Sequence, residues 1–390
     1  MITKLRKTVK QMKVAIAIDS FKGSLSTFQA GNAIAEGIRQ VYPDAETRVC
    51  PLADGGEGTV DAIVAATGGE MIEVTVHNPI GELIKSSYGI IPHTKTAIIE
   101  MSAAAGITLI DSQDKNPLHT TTYGVGELIL DAITKGCRKF IVGIGGSATN
   151  DGGIGMLQAL GFAFLDKNGN QVAFGAKGLK DIADIKIDDA VKALKECSFC
   201  VACDVKNTLC GENGCSAVYG PQKGATPAMI KDMDAWLRKY AELTQKVLPA
   251  SDPNIPGTGA AGGLGFAFLS YLDAVLQSGI DLVIKETELE KYVTDADIVV
   301  TGEGRLDGQS YMGKAPIGVA KLAKKYNKPV IAFSGCVTDD AILCNEHGID
   351  AFFPILRTPC TLQEAMDCDR AYKNLKDTVQ QVFRLIKTRI

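Results

Sequence analysis

The chain has 390 residues, 46% hydrophobic and 22% charged, so it can bury sizeable cores and lacks the composition of a disordered protein. Its formal net charge of −4 and the absence of a long apolar run argue against a nucleic-acid binder and a membrane protein. The basic first thirteen residues lead directly into a strand without an apolar export segment, and we therefore expect a cytoplasmic protein.

Both ends of the chain alternate short apolar runs with amphipathic ones, a pattern typical of α/β proteins with mostly parallel strands. Strands are predicted at 14–19, 47–52, 297–302 and 329–335, and helices at 26–40 and 316–326. Ser26 is a suitable N-cap for the first helix, and Pro316 suits the first turn of the second. The two ends therefore read as pieces of one open sheet.

The middle of the chain has its own set of α/β elements. Strands are predicted at 96–101, 139–145, 161–166 and 198–204, and helices at 124–136 and 226–247. A Pro- and Gly-rich stretch, 249–265, is predicted to be a loop that returns to a helix. We therefore expect two domains: a discontinuous α/β domain of residues 1–75 plus 286–390, and an α/β domain of residues 76–285 inserted into it.

The stretch VGIGGSATNDGGIG (142–155) follows a buried strand and admits several interpretations. Gly143, Gly145 and Ala148 fit the G-x-G-x-x-A dinucleotide pattern, with Asp166 about 20 residues further on. A dinucleotide helix would have to run through several glycines, each costing about 1 kcal/mol. We expect instead a loop that continues to about Gly153 and a short helix, which leaves an NAD(P)-dependent oxidoreductase of a small hydroxy acid as the alternative.

Other chemical patterns are incomplete. GGSAT (145–149) lacks the last glycine of a nucleophile elbow, and GQSYMGKA (308–315) has alanine where a P-loop has a hydroxyl residue. CSFCVAC (197–203) resembles a metal-ligand spacing, but strand-like alternation would place Cys200 and Cys203 on opposite faces. Buried free cysteines are the favoured interpretation.

Glycine-flanked acids recur where predicted strands end. They lie in LADGGEGT (52–59), SATNDGGIG (147–155), ACDV (202–205) and TGEGRLDGQS (301–310), and the first two share the pattern D-G-G-x-G-x-x-x-A. Ligands of open α/β sheets bind at the carboxyl ends of the strands. Several carboxylates beside exposed backbone N–H groups are the arrangement expected if Mg²⁺ lies between the protein and a phosphate. The alternative is that each acid caps a helix or a turn.

Two cations accompany these acids. Lys22 lies between Ser20 and Ser24, just after the first predicted strand, and can meet a phosphate or a carboxylate as a point charge. Arg305 offers a bidentate fork for the same groups.

Taken together, these segments resemble a known family. The resemblance rests on DSFKGSLS (19–26), PLADGGEGT (51–59), GIGGSATNDGG (143–153), ACDV, GPQKGA (220–225), GAAGGLG (259–265) and TGEGRLDGQS. From about Met12 to the C-terminus the chain resembles bacterial glycerate kinases of the class that includes the glucarate- and glyoxylate-pathway enzymes. The resemblance implies ATP- and Mg²⁺-dependent phosphorylation of D-glycerate by two α/β domains. One would have a Rossmann-like or restriction-endonuclease-like sheet built from both chain ends, and the inserted one would be flavodoxin-like.

On this resemblance the candidate residues receive roles. Triphosphate contacts are assigned to Gly145, Gly146, Ser147, Asn150, Gly152 and Gly153. Metal ligation is assigned to Asp151 and Asp204, proton acceptance to Asp54 or Asp307, charge neutralisation to Lys22 and Arg305, and further glycerate contacts to Asp19, Ser20, Ser24 and Glu303. The class favours 2-phosphoglycerate over 3-phosphoglycerate as the product. We expect D-glycerate as the partner, no nucleic acid or membrane, and a homodimer as a working assumption.

Overall fold

The computed structural model describes residues 11–308 and 310–388, without the side chain of Met312. Most of the basic segment at the start of the chain lies outside these residues. No helix within the described ranges combines the length and the apolar character that a membrane span requires.

The described chain is built from both strands and helices. Its strands are β1 (Lys13–Ile16), β2 (Glu46–Val49), β3 (Glu70–His77), β4 (Leu83–Ile91), β5 (Thr96–Glu100), β6 (Lys139–Gly143), β7 (Ala163–Leu165), β8 (Asp184–Lys186), β9 (Ser198–Ala202), β10 (Val275–Gln277), β11 (Ile298–Leu306), β12 (Val330–Val337) and β13 (Ala351–Pro354). Its helices are α1 (Thr27–Arg39), α2 (Thr59–Thr67), α3 (Ser102–Ala105), α4 (Tyr123–Thr134), α5 (Ile154–Ala159), α6 (Ala176–Asp181), α7 (Cys215–Tyr219), α8 (Pro227–Val247), α9 (Ala260–Tyr271), α10 (Gly279–Glu286), α11 (Leu289–Asp295), α12 (Ala315–Lys325), α13 (Leu343–Glu346), α14 (Leu362–Ala365) and α15 (Cys368–Lys387).

The chain divides into two compact units. Unit 1 combines Met1–Ala53 with Val283–Ile390, and unit 2 is Asp54–Leu282. The expected domain boundary at residue 75 falls inside β3, which pairs antiparallel with β4 along its whole length. Unit 2 already begins at Asp54, before that strand, and β3 belongs to the sheet of unit 2.

Unit 1 is built on a parallel five-stranded sheet in the order β13-β12-β11-β1-β2. Helix α1 begins after Ser26, whose hydroxyl accepts the backbone N–H of Gln29, as the sequence predicts. Its apolar face, with Ile34 and Ile38, joins a core that also contains Val300 of β11 and Leu375 of α15. This packing fixes the strand ends of unit 1 relative to one another.

Unit 2 is built on a six-stranded sheet in the order β10-β9-β6-β5-β4-β3. The first four strands run parallel, whereas β4 and β3 form an antiparallel edge that the sequence analysis does not predict. The predicted strand at 161–166 shortens to β7, which pairs only with β8 in a separate small sheet. The predicted loop after β6 continues to Gly153, and α5 is a short helix, as the cost of interior glycines indicates.

Candidate active site

In unit 1 the chain reverses its direction of travel across the sheet between β1 and β11. From β1 it passes through α1 to β2 on one side, and from β11 it passes through α12 to β12 on the other. Ligands of open α/β sheets bind at the carboxyl ends of the strands at such a switch point. The crevice where β1 and β11 end is therefore the place in unit 1 to look for a site.

A tight turn follows β1 at this crevice. Phe21 donates its backbone N–H to the carbonyl of Leu25 at 2.8 Å, and Gly23 adopts a φ of 77° that other residues rarely tolerate. The turn leaves Lys22 exposed. Asp19, only 3% exposed, accepts the N–H of Ser20 at 2.7 Å and lies at the base of the turn. The predicted cation and acid therefore stand together at the end of β1.

The carboxyl half of β11 brings the second set of predicted residues to the same crevice. Glu303 is 9% exposed and accepts a hydrogen bond of 2.6 Å from the hydroxyl of Ser310. Arg305 forms an ion pair of 3.3 Å with Asp307, which leaves most of the guanidinium exposed. The link to the first segment is a hydrogen bond of 3.0 Å from the N–H of Asp19 to the carbonyl of Gly302.

Strand β11 continues to Leu306, so the predicted end of this strand at residue 302 is wrong. Glu303 and Arg305 lie within β11, which continues because β12 offers it backbone partners as far as Val337. Gly304 has no side chain at a point where a Cβ would lie 3.3 Å from the Cα of Phe21. This close approach lets the Lys22 turn and β11 line one crevice.

In unit 2 the loop that starts at Asp54 lies across the carboxyl ends of the parallel strands. A Cβ on Gly143, the last residue of β6, would collide with the carbonyl oxygen of Gly55. A Cβ on Gly55 would in turn lie 2.7 Å from that of Ala202, at the end of β9. The glycines at these positions are therefore required for two loops to meet, and they bring Asp54 to the edge where β6 and β9 end.

Asp204 joins Asp54 at this edge. One of its carboxylate oxygens accepts the N–H of Gly279 at 3.0 Å. The pKa of Asp204 is raised, chiefly by partial shielding of its carboxyl group from solvent and further by the negative charges of Asp54 and Asp281. Such a group of carboxylates gains from a nearby cation. Asp281, in the first turn of α10, is not found by the sequence analysis because no glycine pattern marks it.

The glycine loop after β6 has an open half and a closed half. Gly145 and Gly146 are exposed, and Gly146 has a φ of 73°. Beyond them the loop sinks into unit 2: Ser147 is 8% exposed, and Asn150, Gly152 and Gly153 are buried. Only the first half can present backbone N–H groups to a phosphate.

The closed half is held by Asp151. This fully buried carboxylate accepts the N–H and the hydroxyl of Thr122, both at 2.8 Å, and the N–H groups of Gly153 and Gly155 at 3.0 and 3.3 Å. Burial raises its pKa against the effect of these four donors. Asp151 thus ties the start of α4 to the start of α5, an environment that argues against the metal-ligand role assigned to it.

Comparison with known proteins identifies the family. The glycerate kinase family matches residues 14–387. The chain is 49% identical to glycerate 2-kinase of Escherichia coli K12 over 93% of its length and 95% of that protein. It is 48% identical to glycerate kinase of Haemophilus influenzae, over 96% and 99%. A crystal structure described as glycerate kinase 2 of Salmonella typhimurium LT2 superposes with a TM-score of 0.88 at 46% identity, covering 97% of this chain and 99% of that one.

The chain belongs to the glycerate kinase family. It is therefore a kinase, and the resemblance inferred from the sequence motifs is confirmed.

Within this kinase fold, the geometry for the oxidoreductase alternative is missing. Asp166 follows β7 outside the main sheet, where its carboxylate accepts the N–H groups of Asn168 and Asn170 at 2.8 and 2.9 Å. It closes a turn of the chain and does not stand beside the loop after β6 at the end of a neighbouring parallel strand. The predicted dinucleotide acid is thus engaged elsewhere.

The sequence analysis missed one group of this kinase that the structure singles out. Lys223, in GPQKGA, is 1% exposed, and its ammonium donates to the hydroxyl of Ser147 at 2.7 Å and to the carbonyl of Thr149 at 2.6 Å. A buried lysine is rare, and its segment was already part of the family resemblance. That segment was the available signal.

All the described cysteines are free thiols. No group of three or more His, Cys, Asp or Glu side chains with a metal-binding arrangement occurs within the described ranges.

Proposed function

We propose that this kinase transfers the terminal phosphoryl group of ATP to the 2-hydroxyl of D-glycerate. The observation that carries the proposal is the crevice at the β1–β11 switch point, where exposed Lys22 and Arg305 accompany the buried acids Asp19 and Glu303. Cations beside acids suit a small anion that also carries hydroxyl groups. The names of the Escherichia coli and Haemophilus influenzae relatives support glycerate, and that of the former supports position 2.

The groups in the crevice fit the parts of glycerate. We assign the glycerate carboxylate to Lys22 and Arg305, because a point charge and a planar fork both bind carboxylates. The hydroxyl of Ser24 is buried and has no hydrogen-bond partner among the described residues, so a polar group of the substrate would satisfy it. Asp19 and Glu303 are acceptors for the substrate hydroxyl groups.

We assign the phosphates of ATP to the open half of the glycine loop in unit 2. Gly145 and Gly146 are exposed, and a side chain on Gly145 would be crowded, since its Cβ would lie 3.2 Å from the Cα of Gly56. Exposed backbone of this kind can approach a phosphate closely. Gly152, Gly153 and Asn150 then act behind the loop and not as contacts to the nucleotide.

A magnesium ion fits the donor set of Asp204 and its neighbours. Asp54 and Asp281 raise the pKa of Asp204, so a divalent cation would relieve their mutual repulsion. Magnesium needs only one or two protein carboxylates when phosphates and water supply the remaining ligands. When bound, it would neutralise charge on the phosphates during transfer.

The remaining chemistry is a proton transfer. As the substrate oxygen bonds to the γ-phosphorus and the bond to the ADP oxygen breaks, the hydroxyl proton passes to a carboxylate. Asp54 and Asp307 are the candidates for this acceptor. Asp307 lies 3.3 Å from the guanidinium of Arg305, whereas Asp54 accepts the N–H of Gly56 at 3.2 Å. The variant of the true acceptor will lose turnover while its KM for glycerate stays near that of the native enzyme.

The product can be identified with a coupled assay. Enolase converts 2-phosphoglycerate directly into phosphoenolpyruvate, whereas 3-phosphoglycerate first requires a mutase. We expect phosphoenolpyruvate from ATP, D-glycerate and enolase without added mutase. Because enolase itself needs magnesium, the magnesium requirement is measured separately, as loss of ADP formation by the kinase alone when magnesium is chelated. ADP release that yields phosphoenolpyruvate only with mutase would move the phosphoryl group to position 3. No ADP release with D-glycerate would reject the substrate.

We retain two further predictions as proposals about the enzyme's setting. A cytoplasmic location is tested by fractionation of cells that express the tagged chain. A homodimer is tested by light scattering of the purified protein, where a monomer mass across the working concentration range would reject it.

A further inference from the structure

Lys223 is the only lysine or arginine that is buried among residues 11–308 and 310–388. Burying an ammonium group is costly, and such groups are kept where they are hydrogen-bonded. Both acceptors of Lys223, the hydroxyl of Ser147 and the carbonyl of Thr149, belong to the glycine loop after β6. Both hydrogen bonds that stabilise the buried ammonium group are therefore made to this one loop.

The two hydrogen bonds hold the residues that follow the exposed part of the loop. Gly145 and Gly146 immediately precede Ser147, and both lack side chains that could restrict the backbone. Elsewhere the loop is held by the carboxylate of Asp151 and by neutral contacts, such as the hydroxyl of Thr120 on the carbonyl of Ala148 at 2.9 Å. Lys223 supplies the positively charged restraint.

The chain around Lys223 is shaped to aim it inward. The residue ends a short turn of 3₁₀ helix, Pro221–Lys223, and Gly224 follows with a φ of 90°. A Cβ on Gly224 would collide with the carbonyl oxygen of Lys115, so this backbone has little freedom. The turn therefore delivers the ammonium to the loop in a fixed position.

Lys223 remains positively charged at neutral pH. Burial lowers its pKa to about 8, while the facing groups Cys215 of α7 and Asp151 of the loop act to raise it. At pH 7 the side chain is mostly an ammonium ion. Behind an exposed backbone segment and in surroundings of low polarity, such a charge favours a nearby anion.

We propose that Lys223 is a positioning residue for the nucleotide, holding Ser147 and Thr149 so that the Gly145–Gly146 backbone is set to receive phosphate. This inference rests on the proposed function, in which ATP binds at that loop. Lys223 acts through the loop and lends it positive potential without touching the nucleotide.

The test compares Lys223→Met with the control Thr120→Val, which removes a neutral hydrogen bond from the same loop. ADP affinity is measured by calorimetry, and KM is measured separately for ATP and for D-glycerate. For Lys223→Met we expect ADP binding and the KM for ATP to worsen at least tenfold, with the KM for glycerate within twofold of native. For Thr120→Val we expect less than a threefold change in all three.

Several results would overturn the inference. Native-like ADP affinity in a folded Lys223→Met variant would do so, and so would equal worsening of the two KM values, which indicates general loosening of the fold. If Lys223→Met does not fold, Ser147→Ala removes one of the two acceptors, and we expect a three- to tenfold loss of ADP affinity at an unchanged melting temperature. No loss in that variant would reject the role of Lys223. Native protein that binds neither ATP nor ADP would instead reject the proposed function, and the inference with it.

Discussion

The loops that begin at Asp54 and Asp151 share the pattern D-G-G-x-G-x-x-x-A and one local hydrogen bond. In each, an aspartate oxygen accepts the N–H of the glycine two residues later, at 3.2 Å from Gly56 and 3.0 Å from Gly153, and a helix follows. Their surroundings differ. Asp151 is fully buried and receives three more donors, whereas Asp54 is half-buried at the edge where strands end.

The difference teaches that the motif specifies a local hydrogen bond from glycine to aspartate and not a function. The Asp151 loop is closed by GAAGGLG, since a Cβ on Gly262 would collide with the carbonyl of Thr149 and one on Gly263 would lie 2.7 Å from the Cα of Gly152. Such an intimate fit leaves no room for a ligand. The Asp54 loop instead meets the ends of β6 and β9, where the side chain of Asp54 stays half-buried.

The largest expected effect is on stability in Asp151→Asn. The substitution places an amide N–H₂ among four donors and leaves some of them unsatisfied, which costs roughly 3–5 kcal/mol. Urea unfolding monitored by circular dichroism measures the loss, and we expect the melting temperature to fall by on the order of 10 °C. A variant as stable as the native protein but without turnover would restore Asp151 as a functional acid.

The equivalent change in the other loop, Asp54→Asn, is expected to act on catalysis. We propose this carboxylate as the base or as a neighbour of the metal, and its removal should then lower kcat by about 100-fold. The free energy of unfolding should change by less than about 1 kcal/mol, because the side chain is only half-buried. The measurement is steady-state kinetics together with urea unfolding. An unaltered kcat would show that the exposed acid of the pair is as structural as the buried one.

Alanine at the second glycine of each motif sharpens the same contrast. Gly153 has a φ of 77°, and a Cβ there would collide with that of Ala267, so Gly153→Ala should cost about 2–3 kcal/mol. Gly56→Ala is the matched control: its backbone is not left-handed, and its Cβ would lie 3.1 Å from a carboxylate oxygen of Asp54. We expect less than about 1 kcal/mol there. Equal losses of thermal stability in the two variants would mean that both loops are packed too tightly to accept a side chain.

The smallest effect concerns the pH dependence of the Asp54 side. Helix α2 follows Gly58, which has no capping side chain, and Glu100 at the end of β5 instead accepts the N–H of Val60 at 2.9 Å. Burial, with Asp61 and Glu57, raises the pKa of Glu100 from 4.5 to about 7. A raised pKa favours the protonated form in the folded state, so this contribution is full below pH 4.5 and is lost as the pH rises through about 7.

The variant Glu100→Gln removes that titration. Relative to it, the free energy of unfolding of the native protein should fall by on the order of 1 kcal/mol between pH 5 and pH 8, as urea denaturation at several pH values would measure. Parallel pH profiles of the two proteins would contradict the assignment.

Much of the framework follows from local sequence signals. The cap at Ser26, the proline in the first turn of α12 and the short α5 after a long glycine loop are all predicted correctly, because caps and glycine costs act within a few residues. The extent of β11 was underestimated, because Glu303 and Arg305 interrupt its apolar run and only the partner strand β12 sustains it.

The candidate site was predictable in residue type but not in environment. The sequence could group Asp54 with Asp151, but their exposure depends on segments far along the chain, such as Gly262 and Gly263. For the same reason Lys223 could not be distinguished from an exposed lysine. Burial is a property of the assembled fold, and local patterns do not report it.

The approach of Gly143 to the carbonyl of Gly55 has a consequence for how this enzyme can change. The Asp54 loop and the ends of β6 and β9 form one mutational unit, because a side chain on Gly143 would displace Gly55 and a side chain on Gly55 would displace Ala202. Directed evolution of substrate preference will find these positions nearly closed to substitution. Variation that alters the enzyme without dismantling it should collect instead in exposed residues of the Lys22 turn, where new side chains meet solvent.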